Sequence, residues 1–180
     1  MDRRELFKIL ASGFVVSSRA PAQHQHSGVT RIDLSSYEPR FFSKDEYKIV
    51  DRLSDIIIPA DDLSPGAHDA GVVYFIDTSL HYQPDEAVRS AWHDGVRAVQ
   101  QTAAAKFQKG FLECAAAQQQ ELVAQMALNE GMPTNELERF FNRLKPVALQ
   151  GFCLSEIGMR QYLGYKGNTA IESFPGCQDH

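Results

Sequence analysis

The sequence predicts an all-α protein, an irregular bundle of about five helices with extended N-terminal and C-terminal segments. Three observations carry that expectation. Ser43-Lys44-Asp45-Glu46 is a capping box that opens a run of apolar residues at helical spacing. Long stretches are rich in Ala, Leu, Gln and Glu, the residues that lose least on entering a helix. No stretch shows the sustained apolar-polar alternation that a half-buried strand requires.

The first helix starts at the capping box. Tyr47, Val50, Leu53 and Ile57, joined by Ile49 and Ile56, form its apolar stripe, and Pro59 halts it. Asp61 to Gly66 has the composition of a turn, with Asp61, Asp62, Ser64, Pro65 and Gly66. The spacing predicts a second helix over 67–82, with Val72, Phe75, Ile76 and Leu80 facing inward. Pro84 is expected in the first turn of a third, which runs through Val88, Trp92, Val96 and Val99 to Phe107 before Lys109 and Gly110 break it. A fourth covers Ala115 to Glu130 and stops at Gly131-Met132-Pro133. A fifth starts at Thr134 or Asn135, buries Leu137, Phe140, Phe141, Leu144, Val147 and Leu154, and is expected to kink or break at Pro146. A short helical turn is expected over 159–163.

The two ends read differently from this helical domain of residues 43–163. Residues 1–22 have the order of an export signal: charged residues, then the apolar run Ile9 to Val16, then a small-residue cleavage site at Ala20-Pro21-Ala22. Arg3 and Arg4, followed by Phe7 and Lys8, resemble the twin-arginine signal, although Asp2 replaces the usual hydroxyl residue and Leu6-Phe7 inverts the usual order. The apolar run falls well short of the ~20 residues that span a bilayer, so no permanent membrane anchor is expected. The competing reading is an amphipathic N-terminal helix of a cytosolic protein. Residues 23–42 form an extended segment. The arm of residues 164–180 is loop-like, with Gly164, Gly167, Asn168, Pro175 and Gly176. It also holds Tyr165, Ile171 and Phe174, and Tyr162 stands just before it. That is more aromatic and apolar surface than a free tail carries, so these four residues are candidates for contact with the bundle or with a partner.

With 180 residues, 43% hydrophobic and 23% charged, the chain has enough apolar material for one buried core. The net charge of −5 argues against electrostatic tracking of nucleic acid or of anionic lipid, both of which need clustered Lys and Arg. Cleavage after Ala22 removes four basic and two acidic residues, leaving 14 basic against 21 acidic and a net charge of −7. Cys114, Cys153 and Cys177 have no Cys-x-x-Cys spacing, which argues against a structural metal. They read either as three buried thiols or, after export, as one disulfide with a thiol left over for a partner, Cys153 and Cys177 being the candidates.

Cofactor chemistry is missing. There is no Gly-x-Gly-x-x-Gly after a strand, no phosphate loop and no Cys-x-x-Cys-His for haem. Asp77 and His81 lie four apart and share a helical face, which suits an acid-base or metal pair, yet a solvated ion pair is the expected arrangement. His68 and Asp69 read as cap and dipole residues. Asp61 and Asp62 have a calcium reading, but turn chemistry accounts for them. Trp92 falls on an apolar face and reads as core rather than as a sugar platform. No catalytic, cofactor or metal residue is assigned.

Leu53-Ser54-Asp55-Ile56-Ile57-Ile58-Pro59, then Pro65-Gly66-Ala67-His68-Asp69-Ala70-Gly71-Val72 and Phe75-Ile76-Asp77, resemble the signature of the gluconate 2-dehydrogenase subunit 3 family. Gly151-Phe152, Gly158, Leu163-Gly164-Tyr165-Lys166-Gly167-Asn168 and Phe174-Pro175-Gly176-Cys177 resemble its C-terminal end. The resemblance implies the small, non-catalytic subunit of a periplasmic or membrane-associated dehydrogenase. In such a complex a large subunit of the glucose-methanol-choline oxidoreductase type binds FAD and oxidises gluconate, glucose, fructose or the 3-hydroxyl of glycosides. A multihaem cytochrome c accepts the electrons in many of these complexes. It further implies that the small subunit supports maturation and export of the large one. A stand-alone exported binding domain and a self-sufficient periplasmic sugar enzyme are the alternatives.

Overall fold

Why the bundle closes where it does follows from its caps and its glycines. A computed structural model of the chain describes residues 34–62 and 64–167. Among these there are five α-helices and no strand: α1 (Lys44–Ile57), α2 (Val72–His81), α3 (Glu86–Phe107), α4 (Ala116–Met126) and α5 (Glu136–Leu154). Single 3₁₀ turns stand at Leu34–Ser36 and Phe111–Glu113, and a π-helical turn follows at Gly158–Tyr162. The export residues Arg3, Arg4, Phe7, Lys8, Ala20 and Ala22 lie outside the described residues, as do Ile171, Phe174 and Cys177.

The capping box forms as its spacing predicts. Ser43 Oγ accepts from the Glu46 amide at 3.3 Å, and Glu46 Oε2 accepts from the Ser43 amide at 2.9 Å. The Asp85 side chain accepts from the Ala87 amide at 2.8 Å to start α3, and Asn135 Oδ1 accepts from the Glu138 amide at 3.0 Å to start α5. α5 is the central element and packs against each of the other four helices. Phe140, fully buried, lies edge-on to Trp92 at 5.7 Å, and Gly95 on α3 lets the ring approach. A Cβ at Gly95 would stand 2.2 Å from Phe140 Cδ2, so any side chain there collides with a fully buried ring of the core. Trp92 is thus a core aromatic.

Several boundaries depart from the expected ones. α2 begins at Val72 rather than Ala67, because Gly71 adopts φ +67, a left-handed conformation that interrupts the helix, and residues 67–71 form a turn. Pro84 precedes the Asp85 cap instead of occupying the first turn of α3. α4 ends at Met126, four residues short of Glu130. α5 runs through Pro146 without a break. The proline is exposed while Leu144 and Ala148 on either side are buried, so packing of the inner stripe offsets the missing hydrogen bond.

Candidate partner-binding face

α2 presents two faces, and each builds a different kind of site. On the inner face Asp77 is completely buried, and it draws the preceding segment of chain onto the bundle. Its Oδ2 accepts from the Tyr37 hydroxyl at 2.6 Å and the Arg40 amide at 2.8 Å, while Oδ1 accepts from the Phe41 amide at 3.2 Å and the Phe42 amide at 2.9 Å. A carboxylate offers about four acceptor sites, and here all are taken. Asp77 therefore has no lone pair left for a metal or a substrate proton. Burial, together with this bond to Asp77, raises the Tyr37 pKa and keeps its hydroxyl a donor.

Aromatic contacts complete the strap of residues 37–42. Tyr37 meets Tyr74 edge-on at 4.7 Å, Phe41 stacks on His93 at 4.6 Å under the Arg89 guanidinium, and Phe42 enters the core against Trp92. His93 Nδ1 in turn meets Glu46 Oε1 at 2.8 Å. Burial raises the Glu46 pKa, but the His93 and Ser43 donors outweigh it and hold the carboxyl below its usual range. The expected solvated pair of Asp77 and His81 is not formed. His81 is exposed and edge-on to Tyr82 at 4.8 Å, and it shares no hydrogen bond with Asp77.

His68 also departs from its expected role. It lies before the helix rather than in its first turn, and its Nδ1 meets Asp51 Oδ2 on α1 at 2.7 Å. Burial pushes the Asp51 carboxyl up, and the hydrogen bond to Asp51 raises the His68 pKa. Asp69 is exposed. Asp61 behaves as turn chemistry predicts, its Oδ1 accepting from the Ser64 amide at 2.9 Å. No group of three or more His, Cys, Asp or Glu that would hold a metal occurs among the described residues.

The outer face of α2 is open. Between it and the C-terminal end of α5 lies a groove of about 480 Å³, with Tyr74, Phe75 and Tyr82 on one wall and Gly151 and Leu154 on the other. None of its lining residues is charged. Gly151 makes the groove possible, since a Cβ there would stand 2.7 Å from Phe75 Cδ1 and force the ring to move. Beyond Leu154 the chain turns sharply. Ser155 Oγ accepts from the Gly158 amide at 2.9 Å, and Gly158 lies so close to the Phe152 carbonyl that a Cβ would overlap it at 1.9 Å. The π-helical turn that follows sets Tyr162 edge-on to Phe152 at 5.8 Å.

The result is a run of exposed apolar side chains: Tyr82 at 69%, Leu154 at 59%, Tyr162 at 57%, Leu163 at 59% and Tyr165 at 46% of full accessibility. Of the four residues expected to make contacts, Tyr162 and Tyr165 stand exposed here, and Ile171 and Phe174 lie outside the described residues. Cys153 is half-buried and Cys114 buried, both as free thiols. No helix among the described residues is long and apolar enough to cross a membrane.

Residues 44–176 match the family model described as gluconate 2-dehydrogenase subunit 3. The chain belongs to that family. No curated protein and no solved structure matches the chain significantly. Membership in the subunit 3 family makes other dehydrogenase subunits its partners. The structure gives the family-like motifs physical roles in this chain. Leu53 and Ser54 are fully buried, and a Cβ on Gly66 would stand 2.7 Å from the Ala60 amide nitrogen in the loop between α1 and α2. Gly71 supplies the positive φ that starts α2, Asp77 holds the strap, and Gly151 with Gly158 shapes the open end of α5. Spacing alone missed the strap, because the partners of Asp77 lie 35 to 40 residues before it.

Proposed function

We propose that this chain is the non-catalytic small subunit of a periplasmic FAD-dependent dehydrogenase acting on a sugar, a sugar acid or the 3-hydroxyl of a glycoside. In this reading it supports maturation and stability of the large flavin-binding subunit and carries that subunit out by the twin-arginine route. The observation that carries it is the family match over residues 44–176 in a chain whose first 22 residues have the order of an export signal. The flavin belongs to the large subunit of the glucose-methanol-choline type, and a multihaem cytochrome c is the onward electron acceptor.

Physical considerations support that division. A flavoenzyme acquires its cofactor while folding, so an exported flavoprotein must travel folded, and a subunit without a leader travels only if a leader-bearing partner holds it. Such a hold needs an apolar contact of about 2,000 Å² or more. The exposed residues Tyr162 and Tyr165, continued by the arm that carries Ile171 and Phe174, are assigned to it. Cys153 or Cys177 would supply the thiol that locks it after export. The Asp77 carboxylate is saturated, which removes the residue pair that favoured an independent sugar enzyme.

Co-expression with a flavin-binding large subunit tests the proposal. A soluble complex should form, and both chains should appear in the periplasm. Arg3→Lys combined with Arg4→Lys should leave both in the cytoplasm. Export of the large subunit beside the double variant would overturn the escort role, and turnover of a sugar by the small chain alone would overturn the non-catalytic one.

A further inference from the structure

The turn that leads into α2 is tied to α1 by one imidazole. Among the described residues, the only side-chain hydrogen bond made by residues 67–71 is that of His68 Nδ1 with Asp51 Oδ2 at 2.7 Å. α2 starts on Gly71 with no side-chain cap, so its entry rests on this bond and on the backbone of the turn. There the Ala70 amide donates to the Gly66 carbonyl at 3.1 Å, the Gly71 amide to the His68 carbonyl at 3.0 Å and the Val72 amide to the Ala67 carbonyl at 3.1 Å. Ala70 and Gly71 also line the groove between α2 and α5. What steadies the turn therefore steadies part of that groove.

The Asp51 carboxylate makes no other hydrogen bond among the described residues. Its Oδ1 is buried without a partner, a position that costs free energy while the group is charged and its neighbour is not. Arg52, the next residue, is committed elsewhere: Nε donates to Gln119 Oε1 at 2.8 Å and Nη1 to Asp55 Oδ2 at 2.9 Å. Tyr47, one turn earlier on α1, stays a neutral phenol because burial and the Asp51 charge both push its pKa up. Tyr37 of the strap and Tyr74 and Asp77 of α2 act on that same hydroxyl. Asp69 in the turn and Asp55 on α1 join Asp51 in favouring a positive His68, against the positive end of the α2 dipole.

Two titrations bound the ion pair. Burial pushes the Asp51 carboxyl up although His68 pulls it down, and His68 is raised first by its hydrogen bond to Asp51 and then by that charge. Both charges are present only between these two values. Because His68 is raised from 6.5, its contribution to stability is complete below 6.5 and is lost as pH rises through the raised value. Asp51, raised from 3.8, sets the acid limit. Above that limit its burial costs stability, which a charged imidazole offsets and a neutral one does not.

We propose that His68 and Asp51 form a proton-operated latch on the entry to α2. With the imidazole charged, the turn of residues 67–71 is tied to α1. When the proton leaves, the buried carboxylate loses its counter-charge, and the turn opens more readily together with Ala70 and Gly71 of the groove. The latch belongs to the chain by itself and does not depend on the escort role.

The full-length chain alone provides the test. The carbon-bound ring protons of His68 are followed by NMR from about pH 5 to about pH 9, and exchange of the Ala70, Gly71 and Val72 amides is measured over the same range and corrected for its intrinsic pH dependence. In the wild type, protection of these amides should fall at least about twofold as His68 loses its proton, the size of effect a partly exposed pair delivers. Asp51→Asn keeps an acceptor but no charge. It should move the His68 midpoint to lower pH and abolish the step in exchange. His68→Gln keeps a donor that does not titrate, and its protection should stay level with pH; it decides the matter if Asp51→Asn fails to fold. A His68 midpoint that stays put in Asp51→Asn overturns the proposal. So does a step that survives in His68→Gln, or wild-type protection that is flat across the His68 titration.

Discussion

The two faces of α2 use ten consecutive residues for opposite purposes. On the inner face Val73, Ile76, Asp77 and Leu80 are buried, and the one charged group among them has all its acceptor positions filled by the strap. On the outer face Tyr74, Phe75, Thr78 and Ser79 line an uncharged groove that leads to exposed Tyr82. A saturated polar anchor specifies one arrangement, because a displaced donor finds no substitute partner in the interior. An apolar groove specifies only that something apolar should cover it. The inner face thus belongs to the fold, and the outer face to whatever docks there.

Substitutions can break this contrast, and the largest effect is expected at Asp77. Asp77→Ala leaves three amides and a phenolic hydroxyl in the strap without an acceptor, and should destabilise the protein by about 3–5 kcal/mol in urea unfolding. A loss under ~1 kcal/mol would mean that the strap is not part of the cooperative unit.

A second polar anchor, Glu138 at the start of α5, sharpens the contrast through pH. Its carboxylate accepts from Asn129 Nδ2 at 2.8 Å and from the amide and hydroxyl of Thr134 at 2.6 and 2.8 Å, pinning the loop between α4 and α5. The Thr134 amide is the main cause of a pKa lowered from 4.5 to about 2, with the Asn129 and Thr134 side chains adding to it. Because the folded-state value lies below the unfolded one, the stabilisation is fully present above pH 4.5 and fades as pH falls from 4.5 towards about 2. Glu138→Gln should therefore lower the urea midpoint at pH 7, and the gap to the wild type should narrow steadily below pH 4.5. A gap that does not change with pH would assign the effect to packing.

The smallest effect on stability is expected at the open end. Tyr162→Ser with Tyr165→Ser should shift unfolding by less than about 1 kcal/mol, because both rings are exposed. The same double variant should weaken association with the large subunit at least ~10-fold in a titration, as loss of aromatic anchors does elsewhere. Stability falling as far as in Asp77→Ala would erase the distinction between the faces.

What was legible in the sequence was local. The Ser43 box and the Asn135 cap rest on residues three apart, and the apolar stripes of α1, α3 and α5 rest on the helical period, so both could be read directly, except that Leu154 at the end of the α5 stripe stands 59% exposed. Errors came where a single backbone angle or a distant contact decides. Gly71 delays α2 by a conformation that no periodicity reveals, and α5 passes through Pro146 because the buried stripe on either side holds it. The strap was out of reach for the same reason. Asp77 looked like one half of a pair with His81 four residues away, while its actual partners are a tyrosine hydroxyl and three amides that carry no signature in the side-chain sequence. The groove was invisible as well, because Gly151 and Phe75 meet only once α2 and α5 pack.

The strap also sets how the molecule bears load. Any tension applied to the chain ahead of residue 34 reaches Tyr37 and Arg40 before it reaches an α-helix. It meets there a set of hydrogen bonds converging on one carboxylate, with Phe42 wedged into the core just behind them. Tyr37 and Arg40 take the pull first, with the Phe41 and Phe42 amides behind them on the same carboxylate. Their anchor sits on α2 and the ring stacked behind them on α3, so the bundle must be assembled before this grip exists at all.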